Sequence, residues 1–202
     1  MRVVITGFEP YLEYSKNSSW EVARAVASRD NCGVEVVAEL LPVSFARVGD
    51  ALRGAVERNK ADYIILLGQS GGSDRVKLER IAINMMDARN VDNDGFLPDE
   101  QPIDQSDSAA LFTTLPVKSL RSAIEAKGIK VKISNSAGLY VCNRSYFEAL
   151  RLCRKQRVKG ALFVPLPYYE GQKSAKPGKP TMALEDMVTA IQTIIINITT
   201  DK

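Results

Sequence analysis

There is no histidine anywhere in the 202 residues. No imidazole can therefore act as general base, metal ligand or pH switch, in this chain or across an interface between copies of it. A zinc site of the histidine-ligated kind is excluded, as is any Ser-His or Cys-His couple, and no metal is expected. Cysteine is scarce too: Cys32, Cys142 and Cys153, an odd number without metal-ligand spacing, suit a reducing cytoplasm. No apolar run is long enough to span a bilayer, and the apolar core of MRVVITGFEP is too short for a signal peptide. Asn197-Ile198-Thr199 matches a glycosylation sequon, which carries no meaning without secretion. Neither acidic nor basic residues dominate, the net charge being +3. The densest basic run, RLCRKQRVK (151–159), reads as the solvated end of a helix and comes without interleaved aromatics, so nucleic acid is not an expected partner. The glycine-rich GQSGGSDR (68–75) has neither GxGxxG nor a Lys-Ser/Thr ending, so no nucleotide cofactor is expected.

What remains is an ordinary globular composition, 45% hydrophobic and 25% charged, with no repeat and no linker dividing it. It fits one domain spanning 1–202. Arg2–Thr6 reads as a buried strand, Val34–Leu41 as a second closed by Pro42, and Asp62–Leu67 as a third. Gly160–Pro165 is another covered strand. Near-continuous apolar runs of this kind mark strands covered on both faces. Helices are expected after Ser18 or Ser19, from Ser44 to about Glu57, over Pro116–Ala126, and over Met182–Thr199. The alternation implies right-handed crossovers and a single-domain three-layer α/β/α sandwich with a mostly parallel twisted sheet. LERIAINMMDAR (78–89) alternates for part of its length. VDNDGFLPDEQPID (91–104) and YYEGQKSAKPGKP (168–180) read as long loops.

One stretch carries chemistry. In ISNSAGLYVCNRSYFEALRL (133–152) a short strand at Val131 and Ile133 ends in Ser, Asn and Gly. Apolar residues then recur at helical spacing from Tyr140. Cys142 falls in the first turn of that helix, where unpaired N–H groups and the positive end of the macrodipole favour an anion. Two readings stand: a thiolate easier to form than that of a free cysteine, or a small buried apolar residue that is chemically inert.

GFEPY (7–11), Asn17 before SSWEVA, GQSGG (68–72), ERIAINMMDAR (79–89), DNDG (92–95) and SNSAGLYVCN (134–143) occur together in this order. In these segments the chain resembles the pyroglutamyl peptidase I family, also called pyrrolidone-carboxylate peptidases, over Arg2 to roughly Leu184. The resemblance implies a cytosolic cysteine peptidase, a homo-oligomer (dimer or tetramer), acting on peptides with an N-terminal pyroglutamate. It implies Cys142 as nucleophile, Glu79 as the carboxylate of a Cys-His-Glu triad, and Arg89 near the oxyanion. Phe8 and Tyr11 would sandwich the flat lactam ring, with Asn17 and Gln69 also at the substrate.

The same comparison exposes a departure. The family's histidine strand, F-[IL]-H-V-P, matches Ala161-Leu162-Phe163-Val164-Pro165, which places Phe163 at the histidine position. Phe can neither take the thiol proton nor return it to the leaving amine. General acid–base help is typically worth roughly 10²–10⁴-fold, so an impaired peptidase is expected. The alternative is an inactive member, by natural divergence or by substitution, that keeps the lactam pocket.

Overall fold

The computed structural model describes residues 1–12, 14–172 and 178–200. Four parallel strands form its central sheet in the order β2-β1-β3-β8: β1 (Arg2–Phe8), β2 (Glu35–Leu41), β3 (Tyr63–Gln69) and β8 (Gly160–Leu166). Period-2 alternation divides their side chains between two cores. Val3, Ile5, Ile65, Leu67, Leu162 and Val164 pack with helices α1 (Ser18–Ala27), α3 (Val117–Glu125) and α5 (Leu184–Thr200). Val4, Ile64, Leu66, Ala161 and Phe163 pack with α2 (Val48–Asn59) and α4 (Val141–Arg154). The result is the expected three-layer α/β/α sandwich.

A second, two-stranded parallel ribbon, β4 (Val76–Glu79) with β7 (Val131–Ser134), lies against β8 without pairing to it. Pro165 supplies a reason. The Leu166 carbonyl accepts the Ser70 N–H at 2.7 Å on the β3 side, so the N–H one residue earlier would point towards β4. At 165 that donor is absent, as suits a strand at a sheet edge. On β4 the inward alternation sends Val76 and Leu78 into the first core, and Lys77 and Glu79 to the opposite face.

Element boundaries differ from the sequence expectations in four places. Asn17, not Ser18 or Ser19, caps α1: its Oδ1 accepts from Ser19 N at 3.1 Å. The helix expected from Ser44 begins at Val48. Ser44 opens the preceding turn, its hydroxyl accepting from Arg47 N at 3.1 Å and donating to Asp94 at 2.6 Å. The stretch 78–89 holds the end of β4 and β5 (Ile81–Ile83), which pairs antiparallel with β6 (Ala110–Phe112). In the loop expected over 168–180, β9 (Tyr168–Tyr169) pairs in parallel with β10 (Thr181–Met182), so α5 starts after Met182; residues 173–177 lie outside the described ones.

The excursion at 91–104 is fastened by its own polar side chains. Asp92, 3% exposed, accepts the N–H groups of Phe45, Asp94 and Phe96 at 2.8–2.9 Å. Arg151 of α4 pairs with Asp104 at 2.9 Å and Asp107 at 3.1 Å. These bonds hold Val91 over the C-terminal ends of the strands, the side where open α/β sheets bind ligands.

Candidate active site

Cys142 sits in the first turn of α4, as the periodicity predicts, with no side-chain cap at Tyr140 before it. Asn143 latches this turn to the neighbouring strand. Its Oδ1 accepts from Ile83 N at 2.9 Å, and its Nδ2 donates to the carbonyls of Ile83 at 2.8 Å and Met85 at 3.0 Å. The thiol is therefore held in place through the residue that follows it.

Cys142 separates two cavities. The larger, about 380 Å³, is lined by Phe8, Tyr11, Tyr14, Asn17, Gln69, Ala137, Tyr140, Val141 and Tyr168 along with the cysteine. It is an aromatic slot. The Tyr11 and Tyr140 rings lie 5.2 Å apart, and both hydroxyls donate to the Val91 carbonyl, at 3.1 and 3.0 Å. Phe8 forms its floor, only 2% exposed. At the other end the Tyr14 and Tyr168 hydroxyls meet at 2.7 Å. The Gln69 Oε1 accepts from Ser18 N at 3.0 Å and from Gln172 Nε2 at 2.8 Å. With the oxygen engaged twice, the Gln69 amide nitrogen is the end able to meet a ligand. Asn17 lines the slot while its side chain is spent on α1, donating also to the Glu9 carbonyl at 3.1 Å.

The smaller cavity, about 210 Å³, lies on the strand side of the thiol and is lined by Gly68, Ser70, Lys77, Glu79, Ser136, Phe163 and Pro165. Glu79 is wholly buried: Oε2 accepts from Ser136 N at 3.1 Å, and Oε1 has no hydrogen-bond partner among the described residues. Burial pushes its carboxyl above the ordinary value, against the Ser134 hydroxyl, Lys77, the Ser136 N–H and Lys132. The Phe163 ring lies tilted, its centroid 5.8 Å from that of Tyr146, whose hydroxyl donates to the Glu79 carbonyl at 2.8 Å.

The structure thus brings Cys142, Glu79, Phe163, Phe8, Tyr11, Asn17 and Gln69 together. It does not bring Arg89 with them: that side chain is exposed, lines neither cavity, and has no ion pair among the described residues. Of the two readings of Cys142, its surroundings favour the second, a thiol that does not ionise easily. Burial pushes the Cys142 thiol up to about 12, and the Glu79 carboxylate adds to the rise, while its own backbone N–H works the other way. Desolvation is the largest of these influences, with no cation among the described residues lowering the thiol in return. Tyr140, Tyr14 and Lys77 are site residues that sequence reasoning missed. For Lys77 there was a local signal, its spacing of two from Glu79 in a strand-like VKLE.

Fold and site together define a three-layer α/β protein in which a helix-end cysteine divides an aromatic slot from a small polar cavity holding a buried carboxyl. Comparison narrows this: the sequence profile of pyroglutamyl peptidase matches residues 1–201, and the chain belongs to that family. A pyrrolidone-carboxylate peptidase of Thermococcus onnurineus is 38% identical over 196 residues, 96% of this chain and 97% of the relative. The solved structure of a mutant pyrrolidone carboxyl peptidase from P. furiosus superposes with a TM-score of 0.95 at 32% identity, covering 100% of this chain and 99% of the other. Bacillus amyloliquefaciens pyroglutamyl peptidase I gives 0.91 at 29%, covering 96% and 95%.

Proposed function

We propose that this chain removes N-terminal pyroglutamate from peptides through Cys142, at a rate limited by the lack of an imidazole. The observation that carries the reading is the aromatic slot of about 380 Å³ ending on Cys142. A pyroglutamyl ring is flat, small and largely apolar, and an apolar slot with a few convergent polar groups suits it. The Tyr11–Tyr140 side and Phe8 would hold its faces, and the Gln69 Nε2 would donate to the ring carbonyl. The scissile carbonyl would then rest at the α4 N-terminus, whose free N–H groups favour the developing oxyanion. Attack forms an S–C bond, the amine leaves with a proton, and water hydrolyses the thioester. Glu79 serves this reaction from the far side of the thiol.

A second reading, a family member that binds the lactam without turning it over, is favoured by one specific observation: Phe163, which can carry no proton, lines the cavity that holds Glu79 and Cys142. Hydrolysis of a fluorogenic pyroglutamyl amide separates the two. The peptidase reading expects turnover that disappears in Cys142→Ala. Binding of free pyroglutamate with no turnover supports the second reading. Phe163 and Pro165 both line the cavity that holds Glu79 and Cys142, so Phe163→His and Pro165→His each test whether an imidazole there raises the rate. No turnover and no lactam binding in any variant would overturn both readings. Self-association belongs to the same proposal, supported by exposed Phe96, Leu97 and Phe112, and sedimentation checks it. So does a reducing cytoplasm, supported by three cysteines that are all unpaired. Among the described residues no helix is long and apolar enough to cross a membrane.

A further inference from the structure

The cavity on the strand side of Cys142 holds a basic group that the reaction described so far does not use. Lys77 and Glu79 stand two residues apart on β4 and face the same way, into the space of about 210 Å³ that Cys142 also lines. The Lys77 Nζ donates to the Ser70 hydroxyl at 2.9 Å. Ser70 follows the Gly68–Gln69 end of β3, and a Cβ on Gly68 would lie 3.3 Å from the Cys142 Sγ. Lys77 and the thiol thus line one small cavity, with Ser70 and Gly68 on its wall.

We infer that Lys77, held by Ser70, is the proton partner of Cys142, taking the place that an imidazole would fill. The inference rests on the proposed peptidase reading for its second half only. In the first half the neutral amine of Lys77 accepts the thiol proton as the S–C bond forms. In the second the resulting ammonium gives that proton to the leaving nitrogen as the C–N bond breaks. Water then attacks the thioester, its proton passing to Lys77 and from there to the departing Sγ. Protons and bonds balance with no further reactant.

The surroundings suit an amine that must shed and regain a proton. Among the described residues the charged or titratable groups around Lys77 are Glu79 on its own strand, Lys132 in register on β7, and Cys142 across the cavity. Burial and Lys132 hold the Lys77 pKa below its ordinary value, while Glu79 works against them. Lysines depressed in this way serve as general bases elsewhere. Among the described residues Lys77 makes no ion pair within salt-bridge distance, so a purely structural salt bridge is not its role here.

The test compares Lys77→Met, Lys77→Arg and Ser70→Ala with the unaltered chain, reading Cys142 carboxymethylation at pH 8 and kcat on a pyroglutamyl amide. Arginine keeps the charge but has no lone pair to offer at this pH. The inference expects both Lys77 variants to lose at least tenfold in both readouts, with binding of free pyroglutamate unchanged, and Ser70→Ala to lose less. Lys77→Arg matching the unaltered chain would overturn it in favour of a charge effect. Lys77→Met alkylating at the unaltered rate would overturn it outright. The alkylation arm stands apart from the peptidase reading: an unaltered chain without turnover sinks that reading, while loss of alkylation in both Lys77 variants still supports the proton partnership.

Discussion

Gly68 of β3 and Phe163 of β8 are in contact so close that a Cβ on the glycine would lie 2.5 Å from the Phe163 Cζ and 3.3 Å from the Cys142 Sγ. The absence of a side chain at 68 is what lets ring and thiol share one wall. Gly68→Ala should therefore displace the ring or the thiol, and overpacking a filled core costs about 1–3 kcal/mol. The expected outcome is a lowered urea midpoint together with altered Cys142 alkylation. A midpoint equal to that of the unaltered chain would show that the ring has room to move.

The loss should be sharper at Gly7. A Cβ there would lie 2.5 Å from the Trp20 Cα and 2.6 Å from its N, and these are backbone atoms of α1 that cannot rotate aside. Gly7→Ala should push β1 and α1 apart, at the upper end of about 1–3 kcal/mol for overpacking. Urea unfolding of the two alanine variants side by side checks the ranking. Gly68→Ala proving the more damaging would contradict it.

The family resemblance puts Asn17 at the substrate, and it does line the slot, but its oxygen is engaged on α1 and its nitrogen on the Glu9 carbonyl. Its oxygen accepts from Ser19 N at 3.1 Å and from the Ser19 hydroxyl at 2.7 Å. Losing an N-cap costs about 1 kcal/mol. Asn17→Ala should thus lower stability by about that amount, while Asn17→Asp, which keeps the accepting oxygen, should keep most of it. A lactam affinity that falls tenfold with unchanged stability would instead place the side chain at the ligand.

Much of this architecture could be read from the chain. Val3-Val4-Ile5 and Ile64 to Leu67 are apolar at every position, which only a strand covered on both faces tolerates, and the layers follow. The Cys142 turn was legible because its helix is periodic and its entry is marked by Ser, Asn and Gly. What stayed hidden depends on how the strands are set beside one another. Lys77 acquires meaning only when β4 is set beside the end of β3, bringing Ser70 to within 2.9 Å. The state of the thiol stayed open because the helix end is local and visible, whereas the desolvation that opposes it is supplied by strands and loops elsewhere. Ser44 misled for a smaller reason: its hydroxyl bonds Arg47 N as a cap would, but the backbone there is still a turn.

The raised thiol has a direct kinetic signature. Since the thiolate is the reacting form, and burial pushes the Cys142 thiol up to about 12, Cys142 should alkylate more slowly than exposed Cys32 between pH 7 and 8.5. Its rate should still be climbing above pH 9. Peptide mapping by mass spectrometry after timed iodoacetamide exposure measures both sites in one sample. A Cys142 rate that saturates near pH 7 would mean that the helix end prevails over burial.

Glu79 makes the same conflict visible in stability. Burial holds its pKa above the ordinary 4.5, so the native chain retains a proton that the unfolded chain releases. Wherever the unfolded state binds fewer protons, stability falls as pH rises. The contribution of Glu79 is thus fully favourable below about 4.5 and is lost as pH climbs through the raised native value. Glu79→Gln removes that slope, and its carbonyl oxygen can still accept the Ser136 N–H. Relative to the unaltered chain, the variant should gain stability progressively from pH 4.5 to 7.5, every other titrating group being common to both. Urea unfolding at four pH values across this interval reads the difference. Parallel curves would mean that Glu79 titrates at its ordinary value when folded, and that the unpartnered Oε1 is reached by solvent. This difference therefore decides whether the carboxyl beside Cys142 keeps its proton to higher pH than an ordinary carboxyl does. If it lends its proton, the cavity offers the thiol two proton carriers, Lys77 and Glu79, on one face of a single strand.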